Sequence, residues 1–337
     1  EAFECPPQPA AGYPKEYPIM DVLRHWGTDD AGRVPPKHFL SICRFDYQKE
    51  FETAQRYRDA EVPFIVYNVP ALDETVKLWA DPNYLTEELR KAGYRTQTER
   101  SVDNHFMYHT SKKGRPKGWV PPTSKVQMTY PEWLGRALMD DGDDNETEGV
   151  DDGADRDSGD GGGDGKGNGE EGGGDDGDGG DGGDKKRRRE EGEKAVHYYF
   201  RVSEEPGKSN GFVARSVSFL APGDGKSTLF LKDPKSQKGI HCRFGMHGVI
   251  AEAHHDGSRN AVAMVSGRRR WILAHPRNCH SLHEYPPGHP SSRHSAVDFS
   301  RPDLDKFPRF PETTVNEVIL RAGEVLYVPT DWVHYIV

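Results

Sequence analysis

Residues 253–260 read AHHDGSRN. In an extended strand, residues i and i+2 face the same side. His254 and Asp256 therefore share one face, and His255 takes the other. An imidazole beside a carboxylate offers two ligands to a divalent metal; a third closes a facial triad and leaves open coordination positions. The best third candidate is His334, in residues 323–335 (GEVLYVPTDWVHY). There a turn feeds a hydrophobic strand, Pro329 and a short loop follow, and a second strand opens at Trp332. Asp256 and His334 are 78 residues apart, so only a fold that doubles back, such as a barrel, brings them together. Among 15 histidines an HxD triplet alone is a weak signal, and the 323–335 segment carries most of the weight.

The elements that must hold these side chains are legible from turns and periodicity. Turn signals at Pro222-Gly223-Asp224, Asp256-Gly257, Ser266-Gly267 and Ala322-Gly323 separate short β-rich runs. Strands are expected at 197–202, 228–231, 241–244, 248–254, 260–265, 269–274, 314–320 and 325–328. So many short strands at close spacing predict a double-sheet jelly roll or barrel. Ahead of them, 63–69 (PFIVYNV) reads as a buried strand and 96–108 as strand. Residues 18–26, 73–92 and 128–139 carry helical patterning. In the last of these Thr129 is a cap, and Trp133, Leu134 and Leu138 are expected to face inward.

Charge divides the chain. Residues 140–194 hold 22 acidic and 8 basic side chains, 19 of the 37 glycines, and only Val150 and Ala154 as hydrophobic residues. Such a segment cannot bury enough apolar surface to offset its ordering entropy, so it is expected to be a solvated, disordered insertion. Its KKRRR run (185–189) reads either as a nuclear-import or nucleic-acid patch or, preferably, as counter-charge within an acidic tract. The remaining net charge of +4 is too small to argue for nucleic acid. No stretch approaches 18 consecutive apolar residues, so no transmembrane segment is visible. Cys5, Cys43, Cys242 and Cys279 form no CxxC pair, which argues against zinc. They suit two disulfides or four thiols, with thiols preferred for a chain able to build a core without staples.

On these motifs the chain resembles the JmjC-domain, cupin-like iron(II) and 2-oxoglutarate-dependent oxygenases. The resemblance runs from about Val62 to the end, through PFIVYNV and Trp79, MTYPEWLGRAL, HYYFRV, HHDGSRNAVAMVSGRRRWILAHP and GEVLYVPTDWVH. Residues 284–310 are similar to the hypoxia-inducible-factor asparaginyl hydroxylase branch. The resemblance implies a mainly β fold with N-terminal α/β elements and a double-stranded β-helix barrel. The corresponding division is a lead-in with helices (1–60), an N-terminal part of the cupin-like domain (61–139), the insertion (140–194) and a catalytic barrel (195–337). The family continues with a further barrel strand, so the barrel is expected to be truncated at its C-terminus, with an exposed edge and poor solubility.

The resemblance also assigns roles. His254, Asp256 and His334 bind Fe(II); Arg269, where the family usually has lysine, holds the distal carboxylate of 2-oxoglutarate; Tyr199, not Tyr198, donates to the same group; Asn260 lines that pocket. A guanidinium can clamp a carboxylate bidentately, but its length requires a roomier site. Alternation puts Arg269 with Trp271 and Leu273, and Arg268 and Arg270 on the other face. Ala251 stands where the family often has Thr or Ser, removing one hydrogen bond to the cosubstrate. The implied activity is O2-dependent hydroxylation of a substrate C–H, with a protein side chain the leading substrate and RNA nucleosides or small molecules behind it. Residues 284–310, with His289, Arg293 and His294, are expected over the barrel mouth, where loops set specificity. The alternative is a non-catalytic cupin-type interaction module with a degenerate cosubstrate site. Oligomeric state and compartment stay open, with nucleus, cytoplasm and a secretory lumen all compatible.

Overall fold

Strand boundaries follow the turn chemistry. In the computed structural model, which describes residues 5–25, 39–91, 93, 95–110, 115–140, 196–205, 211–222 and 224–337, strand and helix succeed one another as follows. The N-terminal part contains β1 (Tyr17–Pro18), α1 (Ile19–His25), β2 (Arg44–Asp46), α2 (Phe51–Asp59), β3 (Phe64–Tyr67), α3 (Pro70–Trp79) and α4 (Pro82–Lys91). Then come β4 (Arg95–Ser101), β5 (His105–Phe106), β6 (Ser124–Thr129) and α5 (Tyr130–Asp140). After residues 141–195 the chain resumes with β7 (His197–Glu204), α6 (Phe212–Ser216), β8 (Ile240–Gly245), β9 (Ile250–His254) and β10 (Asn260–Ala263). It closes with β11 (Arg268–Ala274), β12 (Thr314–Arg321), β13 (Val325–Val328) and β14 (Val333–Ile336).

The strands form three sheets: a six-stranded one ordered β1-β12-β11-β14-β9-β5, and two four-stranded ones, β10-β13-β3-β2 and β6-β4-β7-β8. This is the mainly β jelly roll expected. A core of Ile65, Trp271, Leu273, Val318, Leu320, Leu326, Val328, Trp332 and Ile336 lies between the first two sheets. The opposite face of β11 and β14, with Ile272, Ala274, Val333 and Tyr335, is covered by α1 and by Leu282, Val297, Phe299 and Phe310. Because the second half of β11 is buried on both faces, residues 271–274 (WILA) read as a continuous apolar run rather than an alternation. The outer face of β7 and β8 carries Phe200 and Phe244 into an aromatic layer with Trp79, Tyr130, Trp133 and Phe212 from the helices.

Several local expectations are corrected. The helical stretch 73–92 is two helices, because Pro82 opens α4 and Asp81 accepts from the Asn83 N–H as its cap. Residues 228–231 are a turn: the Thr228 hydroxyl accepts from the Phe230 and Leu231 amides, an intrachain alternative to a strand ladder. Thr129 does cap α5, in a reciprocal box in which the Glu132 carboxylate accepts from the Thr129 amide at 2.7 Å. On that helix Leu138 is 62 % exposed; Ala137, four residues from Trp133, takes the inner position instead. The cysteines are neither four thiols nor two disulfides. Cys5 is bonded to Cys43, while Cys242 and Cys279 are free. The bond anchors a lead-in that also packs Tyr13 against the core: its hydroxyl donates to the Pro63 carbonyl and accepts from the Cys43 amide.

The acidic insertion and its basic run lie outside the described residues. The strands on either side of it, β6 and β7, belong to one sheet, where β4 lies between them and is hydrogen-bonded to both. No helix among the described residues is long and apolar enough to cross a membrane.

Candidate metal centre and cosubstrate pocket

β9 and β14 are antiparallel neighbours, and their register places His254 opposite His334. The register then slips: Ile336 pairs with Ala251, so β9 carries one residue more than β14 across that interval. This is a β-bulge, a device common beside active sites. Its effect is local and specific. Ile250 and Ala253 face the outer core while Ala251 packs toward the inner one, so Ala251 and His254, three apart, face the same side. Past His254 the strand ends, and Asp256 turns back toward His334, tied by the Asp331 amide donating to the Asp256 carbonyl.

His254, Asp256 and His334 converge, each offering a ligand atom within 4.8 Å of the others. The imidazole centroids of His254 and His334 are 4.3 Å apart, and His334 Nε2 lies 4.0 Å from Asp256 Oδ2. Both rings are oriented from behind. His254 Nδ1 bonds to the Glu252 carbonyl at 2.7 Å, and His334 Nδ1 to the Trp332 carbonyl at 3.0 Å. A carbonyl only accepts, so each Nδ1 carries the proton and each Nε2 presents its lone pair. Burial holds both imidazoles below their usual pKa, His254 well below it. Burial pushes the Asp256 carboxyl upward, but His254, Asn260, His334 and Arg293 together outweigh it and hold the group at about 2. Two neutral imidazoles and one carboxylate are the donor set of a facial divalent-metal site, and the residues present fit such an ion.

The carboxylate is itself held at both oxygens. Asn260 Nδ2 donates to Oδ2 at 2.8 Å, and Arg293 Nη1 donates to Oδ1 at 2.9 Å. Asn260, expected to line the cosubstrate pocket, is thus engaged with the Asp256 carboxylate. Asn260→Ala is expected to weaken Mn(II) affinity roughly 10- to 100-fold, since the partners that orient metal ligands act on that scale. Calorimetric titration checks it, and unchanged affinity would mean that Asn260 does not position the ligand.

Arg293 was expected only as a member of a loop over the mouth. Its backbone adopts φ 74°, in the left-handed region, and the same guanidinium nitrogen also donates to the His255 carbonyl at 2.8 Å. The next residue, His294, is buried and stacks on His254 with ring centroids 5.0 Å apart and planes 18° from parallel. The sequence places both over the barrel mouth, but not against the Asp256 carboxylate and the His254 ring, because nothing local marks an arginine in a polar loop. The only signal was the loop's length and basic content. His255 points away, as alternation requires, and pairs with Glu284.

The cosubstrate candidates also meet. Arg269 Nη1 donates to the Tyr199 hydroxyl at 3.0 Å. Tyr198 faces the helices instead, where the Arg136 guanidinium stacks on its ring. Arg269 shares its face of β11 with Trp271, whose ring lies 5.6 Å from that of His334. The room a guanidinium needs is supplied by Gly245: a Cβ there would stand 2.3 Å from Arg269 Nη2. Arg270, on the other face, is buried and ion-paired with Glu317.

A jelly roll with two histidines and a carboxylate gathered on adjacent strands defines a cupin-type barrel. Residues 186–337 match the cupin-like domain family. Relatives include the mouse tRNA wybutosine-synthesizing protein 5, 30% identical over 141 residues, which are 42% of each chain. The Xenopus tropicalis lysine-specific demethylase 8 is 35% identical over 99 residues, 29% of this chain and 22% of that one. The zebrafish (Danio rerio) HSPB1-associated protein 1 homolog is 41% identical over 80 residues, 23% and 17% of the two chains. The chain thus spans less than half the length of these curated relatives.

Proposed function

We propose that the protein is an Fe(II)- and 2-oxoglutarate-dependent dioxygenase that hydroxylates a C–H bond, with a protein side chain as the substrate. The observation that carries this reading is the convergence of His254, Asp256 and His334 with both imidazoles turned, by backbone carbonyls, to present Nε2. When bound, the ferrous ion and 2-oxoglutarate supply oxygen activation coupled to decarboxylation of the cosubstrate to succinate. The chain's own residues position and shield. His254, Asp256 and His334 hold the ion and leave positions free for cosubstrate and O2. Arg269 and Tyr199 receive the outer carboxylate of the 2-oxo acid. Trp271, Ile336 and Val328, buried around them, exclude water from the reacting centre. The loop of residues 284–294 brings Arg293 and His294 against the centre and offers the surface that selects the substrate. Relatives named for tRNA modification and for lysine demethylation keep nucleosides and methylated lysine as competing substrates.

Protein incubated with Fe(II), 2-oxoglutarate and O2 is expected to release succinate without added substrate. With a peptide library it is expected to add the mass of one oxygen to a subset of peptides. A folded, iron-loaded protein that releases no succinate overturns the proposal; oxygen added to nucleosides but not to peptides overturns its choice of substrate.

A further inference from the structure

One tyrosine ring in the cosubstrate pocket has two guanidinium groups beside it, and the family pattern asks for one cation. The β7–β8 ladder pairs Tyr199 with Gly245 and Arg201 with Arg243, so alternation places these four residues on one face. Arg269 arrives from β11. The Cζ atoms of Arg269 and Arg243 lie 5.2 Å and 5.8 Å from the centroid of the Tyr199 ring. Glu99, on β4 opposite Tyr199, is the carboxylate of this group, and it is already ion-paired with Arg201. Among the described residues, Arg243 makes no side-chain hydrogen bond or ion pair.

Three guanidiniums therefore face one carboxylate. Like charges this close repel, and an anion that enters between them relieves the repulsion. Burial presses the Arg243 pKa down, and Arg201 and Arg269 add to the pressure. Arg243 packs beside other guanidinium groups and is still an exposed residue, so the cleft is open to a diffusing ligand.

We propose that Arg243 and Arg269 form a two-guanidinium clamp for the outer carboxylate of a dicarboxylic 2-oxo acid, with the Tyr199 hydroxyl as a further donor. A carboxylate offers about four lone-pair sites, enough for two forks at once. The surplus charge makes the pocket selective: a monocarboxylic 2-oxo acid leaves the clamp unfilled. The inference rests on the oxygenase reading and gives Arg243 a role that the reading does not require.

The test is calorimetric titration of the Mn(II)-loaded protein with 2-oxoglutarate and with pyruvate, which lacks the outer carboxylate. Arg243→Gln is expected to weaken 2-oxoglutarate binding roughly 10- to 100-fold, the scale of a lost charged hydrogen bond. It is expected to leave pyruvate binding and the melting temperature unchanged, and Arg243→Lys is expected to recover part of the loss. Equal 2-oxoglutarate affinity in wild type and Arg243→Gln overturns the clamp and leaves the oxygenase reading standing. Equal weakening for both acids also overturns the clamp, because the residue then acts on the fold. Wild type that takes up Mn(II) but no 2-oxoglutarate overturns the reading and the clamp together.

Discussion

His334→Ala is expected to lower Mn(II) or Fe(II) affinity more than about 100-fold and to reduce succinate release to background. Losing a partner behind a ligand already costs about 10- to 100-fold, and this change removes the ligand itself. The effect should be larger than for Asn260→Ala, which leaves all three ligands in place. Because His334 is 3 % exposed and its ring packs on Trp271, alanine also opens a small cavity. His334→Gln, closer in volume, separates the two effects: metal uptake should fall as far, with a smaller change in melting temperature. Calorimetry and thermal melting read both. Retention of wild-type metal affinity in either variant would remove β14 from the proposed centre.

Breaking the Arg270–Glu317 pair is expected to destabilise the fold by about 3–5 kcal/mol, the usual result of stranding one member of a buried ion pair. Arg270 Nε donates to Glu317 Oε1 at 2.6 Å with both side chains almost fully buried, and Arg270 Nη2 also reaches the Val22 carbonyl of α1 at 3.2 Å. Burial lowers the Arg270 pKa, with Glu317 pulling the other way. Arg270→Met leaves a lone carboxylate under α1, and the melting temperature should fall on the order of 10 °C. The double variant Arg270→Met, Glu317→Leu should recover most of the loss, because an apolar pair of similar volume often matches a buried ion pair. If the single variant melts like wild type, the pair carries no such weight.

Much of this fold is legible where turns and alternation act locally. The Ala322-Gly323 turn starts β13 on time, with Gly323 at φ 86°, and the expected 325–328 strand is the observed one. The three proposed metal ligands were readable because HxD on a strand and a histidine after a Pro-broken strand pair are patterns of residue type and spacing. The Arg268-Arg269-Arg270 run shows where such reading stops. Alternation sorts the three onto two faces, but it could not say that the outward face at Arg270 is sealed by α1, since the helix is 245 or more residues away in the chain. Arg243 escaped for the same reason. A basic residue in a short strand looks like any surface cation until the strand from residue 268 onward brings a second guanidinium to the same tyrosine ring. The turn at 228–231 was missed on propensity, because the competing hydrogen bonds of a threonine hydroxyl are invisible in a hydrophobic pattern.

The extra residue in β9 bears on how homologous chains are compared. Parity is reset between Ala251 and His254, so the outward pair Glu252–Ala253 works as a spacer. Losing one of those two residues would keep every histidine and aspartate of the signature, keep a plausible strand, and still rotate the first ligand out of the barrel. A motif search would score such a descendant as intact, and the count of residues upstream of HxD, rather than HxD itself, would show that the proposed centre had been lost.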